Sequence, residues 1–182
     1  MSLDKISAQI SGAQQGSEKK MPPVELWDPP FCGDIDLEIK PDGSWFYNGT
    51  IFKRLSLVKL FASVLKKEQG NYFLVTPVEK VGIVVVDAPF ILTQWQWLDE
   101  QQTRMQVTTN LDDRFILNAE HPLEIAEDGS LYVTVRRNLQ AKVHRNVYYQ
   151  WVDLAREDNN GNGTELVFFS AEQRFSLGLI AD

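Results

Sequence analysis

Two stretches of this chain repeat each other, and that repetition constrains the fold more than any other feature. Residues 37–47 read LEIKPDGSWFY and residues 123–133 read LEIAEDGSLYV. Leu37, Glu38, Ile39, Asp42, Gly43 and Ser44 recur as Leu123, Glu124, Ile125, Asp128, Gly129 and Ser130, each 86 positions later. Each stretch reads as a short strand, an Asp-Gly turn, and a second strand of aromatic or β-branched residues. Hairpin convergence alone can give such identities, so the residues after each hairpin carry the weight. Residues 54–61, RLSLVKLF, and 145–152, RNVYYQWV, both open on an arginine and then show helical spacing. Leu57, Leu60, Phe61, Val64 and Leu65 make one apolar stripe; Tyr148, Trp151, Val152 and Ala155 make the other. A glycine loop follows each helix, at Gly70 and at Gly161 and Gly163, and then an apolar strand, YFLV at 72–75 or ELVFF at 165–169. The order predicts an α+β chain of two tandem repeats of hairpin, helix and strand. Hairpin connections make the sheets mostly antiparallel.

The boundary between the repeats falls near Asp87-Ala88-Pro89. Before it, KVGIVVV at 80–86 reads as a buried strand. After it, ILTQWQW at 91–97 reads as a half-buried strand with Trp95 and Trp97 on one face, and Thr103 to Thr109 as the next strand. Residues 1–23 are rich in Ser, Gln, Gly and Lys and read as a flexible tail. Pro22, Pro23, Pro29 and Pro30 keep the adjoining segment extended. The domains are therefore expected at 24–88 and 89–182. The first residues lack the features of a signal peptide, and Cys32 is the single cysteine; together these point to the cytoplasm. No apolar run reaches the roughly 18–20 residues of a membrane span. Asn48-Gly49-Thr50 and Asn162-Gly163-Thr164 then read as turns. No strand–helix rhythm with a glycine-rich turn marks a dinucleotide fold.

The charge balance is acidic, 18 Lys and Arg against 25 Asp and Glu for a net charge of −7, which excludes duplex nucleic acid as a partner. Against that background, residues 136–145 hold Arg136, Arg137, Lys142 and Arg145, with His144, and no acid. This is enough for one or two phosphates, because each arginine offers a planar fork of donors. Arg145 lies at the start of one expected helix and Arg54 at the start of the other. Helix starts present free N–H groups and the positive end of the dipole. Trp45, Tyr148 and Trp151 are placed either to stack a base or to fill the core.

Other chemistry is weak. His121 and His144 lack metal-pair spacing and read as capping or surface residues. Cys32, in a Pro-Pro-Phe-Cys-Gly turn, reads as a small buried hydrophobe. Residues 158–163 begin like a calcium loop, but the twelfth position is Phe169 rather than a bidentate glutamate. Gly161 and Gly163 do not make a phosphate fingerprint, and no nucleophile elbow or Walker sequence occurs. Asp34 and Asp36, and Asp112 and Asp113, read as solvated acids.

The segments ELWDPPFCGDIDLEIKPDGSWFYNGTIFKR, LVKLFASVL and YFLVTPVEK carry the words WxPPxCGxID, DGxWxYxG and LVTPVEK. On these words the chain resembles a bacterial family filed as a domain of unknown function, over about residues 25–180. The resemblance extends through Thr109-Asn110 and His121-Pro122-Leu123. It implies an internally duplicated two-domain α+β fold whose second domain is pleckstrin-homology-like. It also implies a small, nucleotide-based ligand at the domain interface and a role in signalling, and it supplies no activity. The interest of Glu79 and Lys80 comes from the family word alone.

The resulting expectation is a non-enzymatic regulatory protein that binds a phosphate-bearing, nucleotide-like anion and needs no cofactor. Its expected ligand residues are Arg54, Arg136, Arg145, Tyr148, Glu79 and Lys80. A protein-interaction module with no small ligand is the alternative, and a nucleotide hydrolase ranks behind both.

Overall fold

The computed structural model describes residues 2–14 and 21–180. Contacts divide the chain into two units, Met1–Asp87 and Ala88–Asp182. Both are mixed α and β and mostly sheet.

The repeated hairpin is built twice to the same plan. In unit 1, β1 (Phe31–Ile39) lies antiparallel to β2 (Trp45–Tyr47), with Leu37 opposite Tyr47 and Ile39 opposite Trp45. In unit 2, β10 (Leu123–Ile125) lies antiparallel to β11 (Leu131–Arg136), with Leu123 opposite Val133 and Ile125 opposite Leu131. Gly43 and Gly129 take φ of 86° and 84°, a region that favours glycine. The Ser44 and Ser130 N–H groups donate to Asp42 Oδ1 and Asp128 Oδ1, both at 2.9 Å. These bonds close within the turn itself, which is why the same residues give the same loop in different surroundings.

Around the hairpins the chain runs in three-stranded meanders. Unit 1 has β1, β2 and β3 (Thr50–Ile51), then α2 (Leu55–Ala62), then β4 (Leu65–Glu68), β5 (Asn71–Val75) and β6 (Lys80–Val85). Unit 2 has β7 (Phe90–Trp97), β8 (Met105–Thr109) and β9 (Arg114–Ile116), then β10, β11 and β12 (Leu139–Val143). Then come α3 (Arg145–Leu154) and a last meander, β13 (Arg156–Asn159), β14 (Thr164–Ser170) and β15 (Gln173–Leu179).

The two six-stranded sheets are alike and fit a duplicated fold. Their orders are β3-β2-β1-β6-β5-β4 and β10-β11-β12-β7-β8-β9. In each, the first strand of the first meander pairs parallel with the third strand of the second: β1 with β6, and β7 with β12. All other pairs in these sheets are antiparallel. This equivalence is not the one the repeated words suggest. By sheet position β1 and β2 match β7 and β8, whereas by sequence they match β10 and β11. The hairpin word stands in the first meander of one sheet and the second meander of the other.

The core of unit 1 is made by Leu37, Ile39, Trp45, Leu65, Leu74 and Val81 from the sheet with Val58, Phe61 and Ala62 from α2. Phe61 meets Phe52 at 6.0 Å between ring centroids. In unit 2, Trp151 of α3 packs on Phe168, and Phe168 stacks on Phe175, at 5.1 and 5.4 Å. Buried Ser170 joins the last meander to the sheet, donating to the Leu117 carbonyl and accepting from the Met105 N–H.

The amino-terminal segment departs from the expected tail. Leu3–Ala13 form a helix, α1, with Leu3, Ile6 and Ile10 buried on one stripe. Ser2 caps it, accepting from the Lys5 N–H, and the Thr76 hydroxyl reaches Gln9 Oε1 at 2.7 Å. The polar composition concealed an apolar spacing of three and four residues. Residues 15–20 of the expected tail lie outside the described residues.

Candidate functional site

The start of α3 is positioned from two sides. The His144 N–H donates to the Leu92 carbonyl at 3.0 Å, fixing the turn from β12 against β7. The His144 carbonyl then accepts from Tyr148 N–H, and its ring Nδ1 accepts from Asn146 N–H at 3.2 Å. His144 is therefore the N-cap and Arg145 the first helical residue. The first turn carries no acid, so the positive end of the helix is not neutralised by its own side chains.

Beside this helix start is a cleft of about 350 Å³, walled by the turn at 128–131, by Lys142 and Val143 at the end of β12, and by Arg145, Tyr148 and Tyr149. Arg145 is exposed and its guanidinium makes no hydrogen bond or ion pair with any described residue. Tyr148 is half-buried and Tyr149 is 56% exposed; their rings are tilted, 5.8 Å apart. Asp128 turns one oxygen onto Ser130, and those hydrogen bonds, helped by the Lys142 charge, hold its carboxyl below the usual range. With Lys142 and Arg145 against Asp128, the lining carries one surplus positive charge. A planar cationic fork, an ammonium and two phenol rings around an N-terminal helix turn can hold an anion with an aromatic body.

The other sequence-selected residues are elsewhere. Arg136, at the end of β11, donates to Asp113 Oδ1 and lies 4.7 Å from the Phe90 ring centroid. Its side chain is 17% exposed; burial pulls its pKa down, and Asp113 opposes that pull. It serves this ion pair and does not line the cleft. Arg54, Glu79 and Lys80 belong to unit 1. Arg54 is exposed and occupies the N-cap of α2, its carbonyl accepting from Leu57 and Val58. By its i to i+4 bond Arg54 corresponds to His144, so the two arginines are one position out of step. Glu79 is buried in the Thr76–Glu79 turn, where the Thr76 hydroxyl accepts from Glu79 N–H, and Glu79 Oε1 has no hydrogen-bond partner. Lys80 Nζ pairs with Glu68 at 3.1 Å and lies 4.9 Å from the Phe73 ring centroid.

The chain is similar to known proteins both in sequence and in fold. The N-terminal domain of DUF1285, a domain of unknown function, matches residues 22–88, and the C-terminal domain of that family matches residues 89–177. A crystal structure of a DUF1285 family protein from Silicibacter pomeroyi DSS-3 is 36% identical, with a TM-score of 0.81 over 94% of this chain and 95% of that one. This chain belongs to the DUF1285 family. A second crystal structure, of a DUF1285 family protein from Shewanella baltica OS155, is 31% identical with a TM-score of 0.54, over 64% of this chain and 90% of that one. Comparison with curated proteins gave no match.

In this DUF1285 protein His121 and Cys32 have structural partners. His121 stacks on Phe115 at 4.1 Å, and its Nδ1 meets the Thr134 carbonyl at 2.8 Å. Cys32, expected to be buried, is half-buried at the start of β1 with its thiol on the Pro30 carbonyl. Asn159 and Asn160 accept from the N–H groups of Gly161 and Asn162, which makes 160–163 the hairpin loop between β13 and β14. Among the described residues no three His, Cys, Asp or Glu side chains are grouped to hold a metal ion, and no helix is long and apolar enough to cross a membrane. Tyr149 was not among the sequence-selected residues; its signal is its place beside Tyr148 at the start of an amphipathic helix.

Proposed function

We propose that this DUF1285 protein is a non-enzymatic regulatory protein that takes a phosphate-bearing, nucleotide-like anion in the cleft at the start of α3. The observation that carries the reading is the unpartnered guanidinium of Arg145 in that cleft, beside Lys142. Arg145 supplies a two-pronged contact to phosphate oxygens, Lys142 adds a point charge, and the helix start adds N–H groups and its dipole. Tyr148 and Tyr149 offer aromatic faces to a base. A sensor in signalling is the role this arrangement supports, and one helix following a meandering sheet in unit 2 supports a pleckstrin-homology-like character.

A protein-interaction module is the second reading. It is favoured by Ile125 and Leu179, 44% and 66% exposed, with Ile125 on β10, the outer strand of its sheet.

The test is thermal unfolding with mono- and dinucleotides, cyclic nucleotides, nicotinamide and flavin cofactors, and inorganic phosphate. A ligand at 100 times its dissociation constant stabilises the folded state by about 2.7 kcal/mol. The expected result is a shift with phosphate-bearing compounds that Arg145→Ala and Lys142→Ala each remove. No shift across the panel, or a shift that survives both substitutions, overturns the anion reading. A protein complex that survives both then supports the second reading.

A further inference from the structure

Unit 1 carries a second cleft, of about 310 Å³, within the range of small-molecule sites, about 300–1,000 Å³. It exists because of Gly82. Gly82 stands on β6 with Asp34 of β1 opposite it on one side and Phe73 of β5 on the other. A position in the middle of a six-stranded sheet that lacks a side chain leaves a hollow in the face. The Asp34 carboxylate leans into this hollow: a β-carbon on Gly82 would overlap its Oδ1. Phe31 and Phe73 meet edge to face, their centroids 6.0 Å apart, and Phe31 is 55% exposed. Lys80 is two residues before Gly82 and so projects from the same face.

The charges around the hollow have unused capacity. The Asp34 carboxylate makes no hydrogen bond or ion pair with any described residue. The Lys80 ammonium has three donors, and its hydrogen bond goes to Glu68. On the paired strands Asp34 stands opposite Gly82 and Lys80 opposite Phe31, yet Lys80 pairs with Glu68 and not with Asp34. Lys66 also pairs with Glu68. The charged residues of the lining are Asp34 and Lys80, so the cleft is neutral and favours neither a simple anion nor a simple cation. A ligand that fits carries both charges a few ångströms apart and an apolar body for the phenylalanine rings.

We propose that this cleft binds a free α-amino acid with an apolar side chain. The ligand ammonium lies on Asp34, its carboxylate on Lys80, and its side chain against Phe31 and Phe73. Its lining shares no residue with the anion cleft of unit 2, and the proposal does not rest on that cleft.

The experiment is isothermal titration of the full chain with L-phenylalanine and L-leucine. Three analogues accompany them: 3-phenylpropionate lacks the ammonium, phenethylamine lacks the carboxylate, and L-phenylalanine amide presents only what a peptide amino terminus would. Saturable binding of an apolar amino acid is expected, weakened at least about tenfold in all three analogues. Asp34→Asn and Lys80→Met should each weaken it to a similar extent, with circular dichroism unchanged, and Arg145→Ala should not affect it. The proposal is overturned by the absence of binding up to about 10 mM, a weak-ligand limit. It is equally overturned by binding that survives Asp34→Asn, or by an amide that binds as tightly as the acid.

Discussion

Asp34 and Gly82 share one space: the carboxylate of the first fills the position that a side chain on the second would occupy. The pairing is across parallel strands, and it leaves an acid over bare backbone in the middle of a sheet face. The backbone of Gly82 does not have the positive φ that strains other residues. The obstacle to a larger residue there is the end of an exposed, flexible side chain. Gly82→Ala should therefore fold, with Asp34 rotated toward solvent and a stability within about 1 kcal/mol of the parent. Urea unfolding measures this. A loss above about 3 kcal/mol, well beyond an ordinary glycine effect, would show that Asp34 is held in place by more than the hollow.

The arginines of unit 2 should separate cleanly in stability. Asp113→Ala removes a carboxylate to which the Arg136 guanidinium, 17% exposed, donates. The expected cost is about 1–3 kcal/mol, because a mostly buried charged donor loses one of its acceptors. Arg145→Ala removes an exposed side chain with no partner among the described residues and should change stability by about 0.5 kcal/mol or less. Chemical unfolding of both variants decides between a structural and a ligand-facing arginine at each position.

Acid should act on the two Asp-Gly turns in the same way. Hydrogen bonds from Ser44 hold the Asp42 carboxyl below its usual range, and those from Ser130 do the same for Asp128. A carboxyl whose folded-state pKa is lowered contributes stability above its unfolded value, near 3.9. That contribution is lost as pH falls through the folded value. The stability difference between the parent and Asp42→Ala should therefore be level above about pH 5 and shrink below about pH 4. Carboxyl-carbon NMR titration should find both aspartates titrating late. A difference that grows on acidification would contradict the sign.

Truncating α1 at its buried stripe should destabilise unit 1. Ile10 is fully buried, and Ile10→Ala should cost about 2–5 kcal/mol. Ser2→Ala removes the cap and should cost about 0.5–2 kcal/mol. If α1 were a dispensable tail, neither change would move the unfolding midpoint.

Much of the candidate site was legible at the level of residue type. The basic stretch at 136–145, the helix after it and the tyrosine in its first turn are local features, and Arg145 and Tyr148 do meet at one cleft. Arg136 was not separable from Arg145 by the same reasoning. Its fate depends on Asp113, which stands 23 positions away in sequence and reaches it only through the pairing of distant strands. The Asp34 hollow was equally hidden. Asp34 and Gly82 are each ordinary in sequence, and only the parallel pairing of β1 with β6 makes them neighbours.

The two hairpins follow from their own residues. An Asp-Gly-Ser turn is closed by hydrogen bonds spanning two or three residues and by one glycine in a left-handed conformation, so its geometry does not wait for the rest of the chain. Tertiary structure alone decided where those hairpins stand. One opens the first meander of its sheet and the other the second, although the sheets share one strand order. Strand partners are chosen by which apolar faces can be buried together across the whole unit, a long-range energy that no repeated word of eleven residues contains.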